Sequence, residues 1–198
     1  MSPRLLAGRA PGRIIDGIVG ALAAIGVTPM MVTLAGLIGS VVAAVLVGRG
    51  ELAIGGVVLL IAAGLDMFDG ALARSMGTAS RFGALLDSTA DRVSEAVLLF
   101  GVLYYETELG NREESLLVFV ALAGSLLVSY IRARAEAEGV AATAGLFTRP
   151  ERVVLLVAAL VTGYLRAGLW ILAVLSLLTV AQRFWAAGSA LRREDQRS

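Results

Sequence analysis

Asp66-Met-Phe-Asp69-Gly70-Ala-Leu-Ala73-Arg74, followed by eight residues and then Gly83-Ala-Leu-Leu-Asp87-Ser-Thr-Ala-Asp91, is the stretch around which the chain is organised. Four carboxylates close the inner ends of two apolar segments. Asp66 and Asp69 are three apart and Asp87 and Asp91 four apart, so each pair shares one face of a helix. A turn near Gly77 would fold the two helices into an antiparallel pair. Counting outward from it sets Asp69 opposite Asp87 and Asp66 opposite Asp91, converging on one pocket. A carboxylate deep in a bilayer costs about 2.5–3.5 kcal/mol on insertion scales, and four together also repel one another. Two divalent cations would cancel their formal charge, and hard oxygen ligands suit Mg²⁺ or Mn²⁺. Gly70 and Gly83 leave space beside the acids for a ligand, Ala73 keeps that wall low, and Arg74 supplies a fixed cation.

The surrounding composition places this cluster in a membrane. Of the 198 residues, 58% are hydrophobic, and the mean hydropathy is +0.82, far above that of a soluble domain. The expected class is an all-α integral membrane protein. The chain has no cysteine and no histidine, which excludes disulfides, thiolate chemistry, imidazole catalysis and His-ligated zinc. All 17 basic residues are arginine, so Schiff-base chemistry is excluded as well. A general base must then be a carboxylate or a less usual group. The near-neutral net charge of +1 argues against nucleic acid as a partner.

We read one domain over 1–198. Residues 1–26 form an amphipathic juxtamembrane helix, with Arg4, Arg9 and Arg13 toward lipid head groups. Residues 28–190 form a bundle of six spans, at about 28–48, 52–75, 81–106, 114–138, 149–166 and 168–190, and 191–198 form a solvated tail. A span needs about 20 residues. The Leu52–Leu65 run puts Asp66 about 21 Å along its helix from Glu51. Asp91 lies at nearly the same depth from Glu106. With the amino terminus inside, only Arg49, Arg112 and Arg166 fall outside. That asymmetry places the acids near the cytoplasmic face of the cell membrane.

Further along, Thr28-Pro29 reads as a helix start, with Thr33 one turn in. Thr148 and Glu151 have capping-box spacing around Pro150. Arg149 and Arg152 add charge at a helix start suited to an anion; the plainer alternatives are that Arg149 snorkels to head groups, that Arg92 and Glu95 neutralise each other, and that Glu136 and Glu138 pair with loop arginines. Ser129, Arg132, Arg152 and Arg183 together would make a phosphate pocket beside the acids, since arginine forks suit phosphate geometry.

The pattern D-x2-D-G-x2-A-R-x8-G-x3-D-x3-D resembles the signature of the CDP-alcohol phosphotransferases, integral membrane enzymes of phospholipid synthesis. The resemblance implies that Asp66, Asp69 and Asp87 bind two metal ions and that Asp91 completes the site as general base. It implies that Gly70, Ala73 and Gly83 line the nucleotide pocket, bordered by Pro29 and Thr33. Ser129-Tyr-Ile-Arg-Ala-Arg-Ala-Glu136, Phe147-x-Arg-Pro-Glu-Arg152 and Ala181-Gln-Arg183 are similar, more narrowly, to the actinobacterial phosphatidylinositol phosphate synthases. Family membership further implies a homodimer.

The expected reaction is transfer of a phosphatidyl group from CDP-diacylglycerol to a hydroxyl of inositol phosphate, with release of CMP. Asp66, Asp69, Gly70, Ala73, Arg74, Gly83 and Asp87 would face the nucleotide. Ser129, Arg132, Arg152 and Arg183 would grip the acceptor phosphate. One alternative is a phosphatidylglycerol phosphate synthase, whose acceptor is glycerol 3-phosphate. Another is a divalent-cation transporter, because intramembrane acids often mark ion paths. A third is a non-catalytic assembly subunit.

Overall fold

The computed structural model describes residues 10–140 and 145–196. Among them are seven helices and no strand: α1 (Ala10–Ala24), α2 (Pro29–Gly48), α3 (Leu52–Ser75), α4 (Arg81–Glu108), α5 (Arg112–Ala137), α6 (Arg149–Thr162) and α7 (Leu165–Asp195). The helix boundaries follow local chemistry. Thr28 caps α2, its hydroxyl accepting from the Met31 amide at 3.3 Å, with Pro29 in the first turn. Ser80 caps α4 by accepting from the Gly83 amide at 3.0 Å. Thr148 and Glu151 close the expected capping box at the start of α6. The turn between α3 and α4 has Gly77 at φ +64°, a left-handed conformation glycine adopts without penalty.

Among the described residues four helices are long and apolar enough to cross a membrane: α2, α3, α5 and α7. Two of the six expected spans are not of this kind. Helix α4 carries Asp87, Asp91, Arg92, Glu95 and Glu106, so the site itself lowers its hydropathy. Helix α6 has only 14 residues, about 21 Å at 1.5 Å per residue, because the chain turns at Gly163 rather than at 166–168. Helix α7 continues to Asp195, through most of the stretch expected as a tail. Residues 1–9, the start of the expected juxtamembrane helix, lie outside the described residues. Its remainder, α1, packs on α3 through a small cluster of Val19, Val32 and Leu72.

The expected hairpin of α3 and α4 does not form a packed pair. Each helix packs on α2 instead, α4 also packs on α5, and α3 also packs on α6. Small residues set these approaches, as they do where helices pack in lipid. A Cβ on Gly39 would lie 2.8 Å from the Ala62 Cβ, and one on Gly101 would meet the Ala44 carbonyl oxygen. The main core, with Val47, Leu99, Val102, Val118, Leu160 and Leu169, fills the part of the bundle away from the acids. The splay between α3 and α4 leaves the acid end open to ligands.

If the α2–α4 contact is what holds this splay, Gly101→Val should destabilise the protein by about 1–3 kcal/mol, read as a lowered Tm in detergent. Gly188→Ala, where an added Cβ meets nothing within 4 Å, should leave Tm unchanged or raised.

Candidate active site

Helix α3 delivers Asp66 and Asp69, and α4 delivers Asp87 and Asp91. Asp69 is buried and accepts a 2.8 Å hydrogen bond from the Thr33 hydroxyl of α2. Asp87 faces Asp69 closely enough for the two charges to act on each other, as counting from the turn predicts. Asp66 and Asp91 meet differently. One guanidinium joins them: Arg149 Nη2 donates to Asp66 Oδ2 at 2.8 Å, and Arg149 Nη1 lies 2.8 Å from Asp91 Oδ1. Arg149 therefore does not snorkel outward as its sequence position suggests. Its capped place at the start of α6 aims it inward, against the excess of negative charge.

The electrostatic reason is direct. At an effective dielectric of about 20, two unit charges about 4 Å apart interact by about 4 kcal/mol. Like-charged carboxylates therefore need a cation among them. Among the described residues, no three acidic side chains stand arranged around a single ion position. Arg149 spans two of the four, and Thr33 holds a third. The donor set nonetheless fits hard divalent cations, being carboxylate oxygens from two helices. The guanidinium stands where positive charge is demanded. Its fit is incomplete, because Arg149 Nε is buried without a hydrogen-bond partner.

Two cavities flank the acids. The first, about 410 Å³, is lined by Pro29, Thr33, Asp69, Gly70, Ala73, Arg74, Gly83 and Asp87. All the residues expected to face a nucleotide are here except Asp66, which lies beside it in a small recess with Arg149 and Ser40. The second cavity, about 1090 Å³, is lined by Ser129, Arg132, Arg152 and Arg183 together with Asp87, Asp91 and Arg149. Asp87 borders both cavities, whereas Asp91 borders only the second.

The second cavity's arginines are held in different ways. Arg152 is 3% exposed and makes a two-pronged pair with Glu95, Nε to Oε1 at 2.6 Å and Nη2 to Oε2 at 2.9 Å. Glu95 thus serves Arg152 and not Arg92, whose guanidinium instead donates to the Ser88 carbonyl. Arg183 is buried and donates to the Val128 carbonyl at 2.8 Å. Gly145 packs over it, where an added Cβ would lie 2.9 Å from Arg183 Nε. Arg132 is exposed and pairs with Glu136 at 2.8 Å, and Arg134 pairs with Glu138, as the loop-charge reading anticipates.

Three contributors were missed from sequence: the bridging by Arg149, the pairing of Glu95, and Gly36. A Cβ on Gly36 would occupy the place of Asp66 Oδ1. The Gly36-Leu-Ile-Gly39 spacing signals close helix packing but not which side chain fills the gap. The first two pairings join residues 83 and 57 positions apart, beyond the reach of local patterns.

Fold and site together define a class: a multi-pass helical membrane protein with an acid cluster between two cavities, one of them lined by arginines. Residues 26–185 match the profile of the CDP-alcohol phosphatidyltransferases, and the chain belongs to that family. It is 40% identical over 184 residues to the phosphatidylinositol phosphate synthase of Mycobacteroides abscessus, covering 88% of this chain and 83% of that one. It is similar to the crystal structure of the Mycobacterium tuberculosis phosphatidylinositol phosphate synthase with CDP-DAG bound. There the TM-score is 0.82, with 35% identity over 88% of this chain and 94% of that one. A second structure of that enzyme, in complex with manganese and citrate, matches with a TM-score of 0.79 and 33% identity over 87% and 88% of the two chains.

If Gly36 makes the space that Asp66 occupies, Gly36→Ala should lower turnover by about 100-fold, the scale of a displacement of about 1 Å at a reacting centre. Initial-rate measurements on the folded variant check this, with Gly64→Ala, an open position on α3, as the comparison.

Proposed function

We propose that the chain transfers the phosphatidyl group of CDP-diacylglycerol to a hydroxyl of inositol phosphate, releasing CMP. The observation that carries the reading is the meeting of two unlike cavities at the acids. One is lined with glycine, alanine and threonine, wide enough for a nucleotide; the other is lined by arginines. An acceptor phosphate would use the arginine forks of this wall, which a neutral acceptor would not. The names of the relatives point the same way.

Asp66, Asp69, Asp87 and Asp91 would hold two divalent ions, Mg²⁺ or Mn²⁺, which supply charge neutralisation for the pyrophosphate and the leaving CMP. Gly70, Ala73 and Gly83 leave room for the nucleotide beside Asp69. Thr33 holds the Asp69 carboxylate in place. Arg183 and Arg152 set the acceptor's phosphate, with Ser129 and Arg132 nearer the mouth. Asp91, on the acceptor side, takes the hydroxyl proton as the oxygen forms its bond to the phosphatidyl phosphorus. The bond from that phosphorus to the pyrophosphate bridging oxygen breaks, and CMP leaves. Glu95 acts through Arg152 by keeping it oriented.

The same proposal includes six spans in the cell membrane. Helix α4, joined to the apolar helices α3 and α5 by short turns, would cross in return, and α6 would do so before α7. The arginine distribution supports a cytoplasmic active site, and the family resemblance supports a homodimer.

CMP release measured against inositol phosphate, glycerol 3-phosphate and free inositol tests the acceptor. Inositol phosphate should react and free inositol should not; an equal rate with free inositol would remove the phosphate pocket from the account. Chelation should abolish release, and added Mg²⁺ or Mn²⁺ should restore it. Asp91→Asn should lower kcat by about 100- to 10,000-fold, the range for a lost general base, with little change in KM for CDP-diacylglycerol.

A further inference from the structure

Arg149 and Arg152 sit one turn apart on the same helix and are held in opposite ways. Arg152 is sealed: 3% exposed, with both prongs on Glu95 and a further contact to the Phe147 carbonyl. Arg149 keeps 28% of its side chain exposed at the wall of the large cavity. Its two terminal nitrogens each hold one acid, and its buried Nε has no partner. It is thus a cation with an exit and an unsatisfied donor. The two acids it bridges come from different helices that do not pack directly on each other.

We propose that Arg149 is an exchangeable positioning cation. It holds Asp66 and Asp91 at their working separation before a divalent ion arrives, then yields them and turns into the arginine-lined cavity. The inference rests on the metal-dependent reading above and deepens it. Arg149 holds Asp66 Oδ2 and Asp91 Oδ1, so a divalent ion that takes those oxygens has to displace the guanidinium.

The test is Mn²⁺ binding to the purified full chain in detergent, followed by loss of the free-ion paramagnetic resonance signal, without substrate. Arg149→Gln should bind Mn²⁺ about tenfold more tightly than wild type, a coupling of ordinary size between competing groups. In EDTA the same variant should melt below wild type, and saturating Mn²⁺ should raise its Tm by more than it raises that of wild type. Arg92→Gln is the control for charge alone, since Arg92 lies near Asp91 but is bonded to the Ser88 carbonyl. It should shift Mn²⁺ affinity by less than about threefold, below the usual scale of coupling between sites.

Unchanged or weaker Mn²⁺ binding in Arg149→Gln would overturn the proposal, as would equal tightening in Arg92→Gln. If Arg149→Gln does not fold, Arg149→Lys decides. Lysine keeps the charge but lacks the planar fork that spans two carboxylates, so Mn²⁺ should bind more tightly than to wild type. An affinity at or below that of wild type would overturn the exchange. Absence of any Mn²⁺ isotherm in wild type would overturn the metal reading itself, whereas an isotherm indifferent to Arg149 overturns only the exchange.

Discussion

Negative charge held inside an apolar helical bundle is the constraint on which the rest of this structure depends. Four aspartates on α3 and α4 face a common space, and burial makes their mutual repulsion severe. The protein's own answer is a guanidinium from the start of α6, shared between Asp66 and Asp91. That one contact ties three helices together at the acids. It also explains why α6 begins with a tightly closed cap. The Thr148–Glu151 box fixes the first turn and so fixes where the Arg149 side chain starts.

The two cavities follow from the same packing. Helices α3 and α4 both dock on α2 rather than on each other, and space opens on either side of the carboxylates. One space has small walls and the other is ringed with arginine. The basic wall is itself compensated, since Glu95 neutralises Arg152 deep in the bundle. Burying an unpaired guanidinium there would be costly; paired and oriented, it can still present charge to a phosphate. On the proposed reading, activity and stability draw on the same ion pairs.

Much of this was legible in the sequence. The acid spacing, the turn at Gly77 and the caps at Thr28 and Thr148 follow from local patterns, while the grouping of Ser129, Arg132, Arg152 and Arg183 around one cavity follows from the suitability of arginine for phosphate. What was not legible depends on distant partners. Nothing near Arg149 indicates Asp66, and nothing near Glu95 favours Arg152 over Arg92, which is closer in sequence. Gly36 looks like any small residue at a helix crossing until the Asp66 side chain is seen in its place. The hairpin of α3 and α4 failed for a related reason: a short turn requires only that the helix ends be close, and α2 offers both helices a better surface. The four strongly apolar helices stood out by composition, whereas α4 is obscured by the charges it carries for the site.

The most direct measurement of the central claim is anomalous scattering from crystals of the full chain equilibrated with Mn²⁺. The account predicts manganese peaks among Asp66, Asp69, Asp87 and Asp91, with the Arg149 guanidinium withdrawn from Asp66 and Asp91. Manganese-saturated crystals with no peak at these carboxylates, or with Arg149 still bridging them, would contradict it.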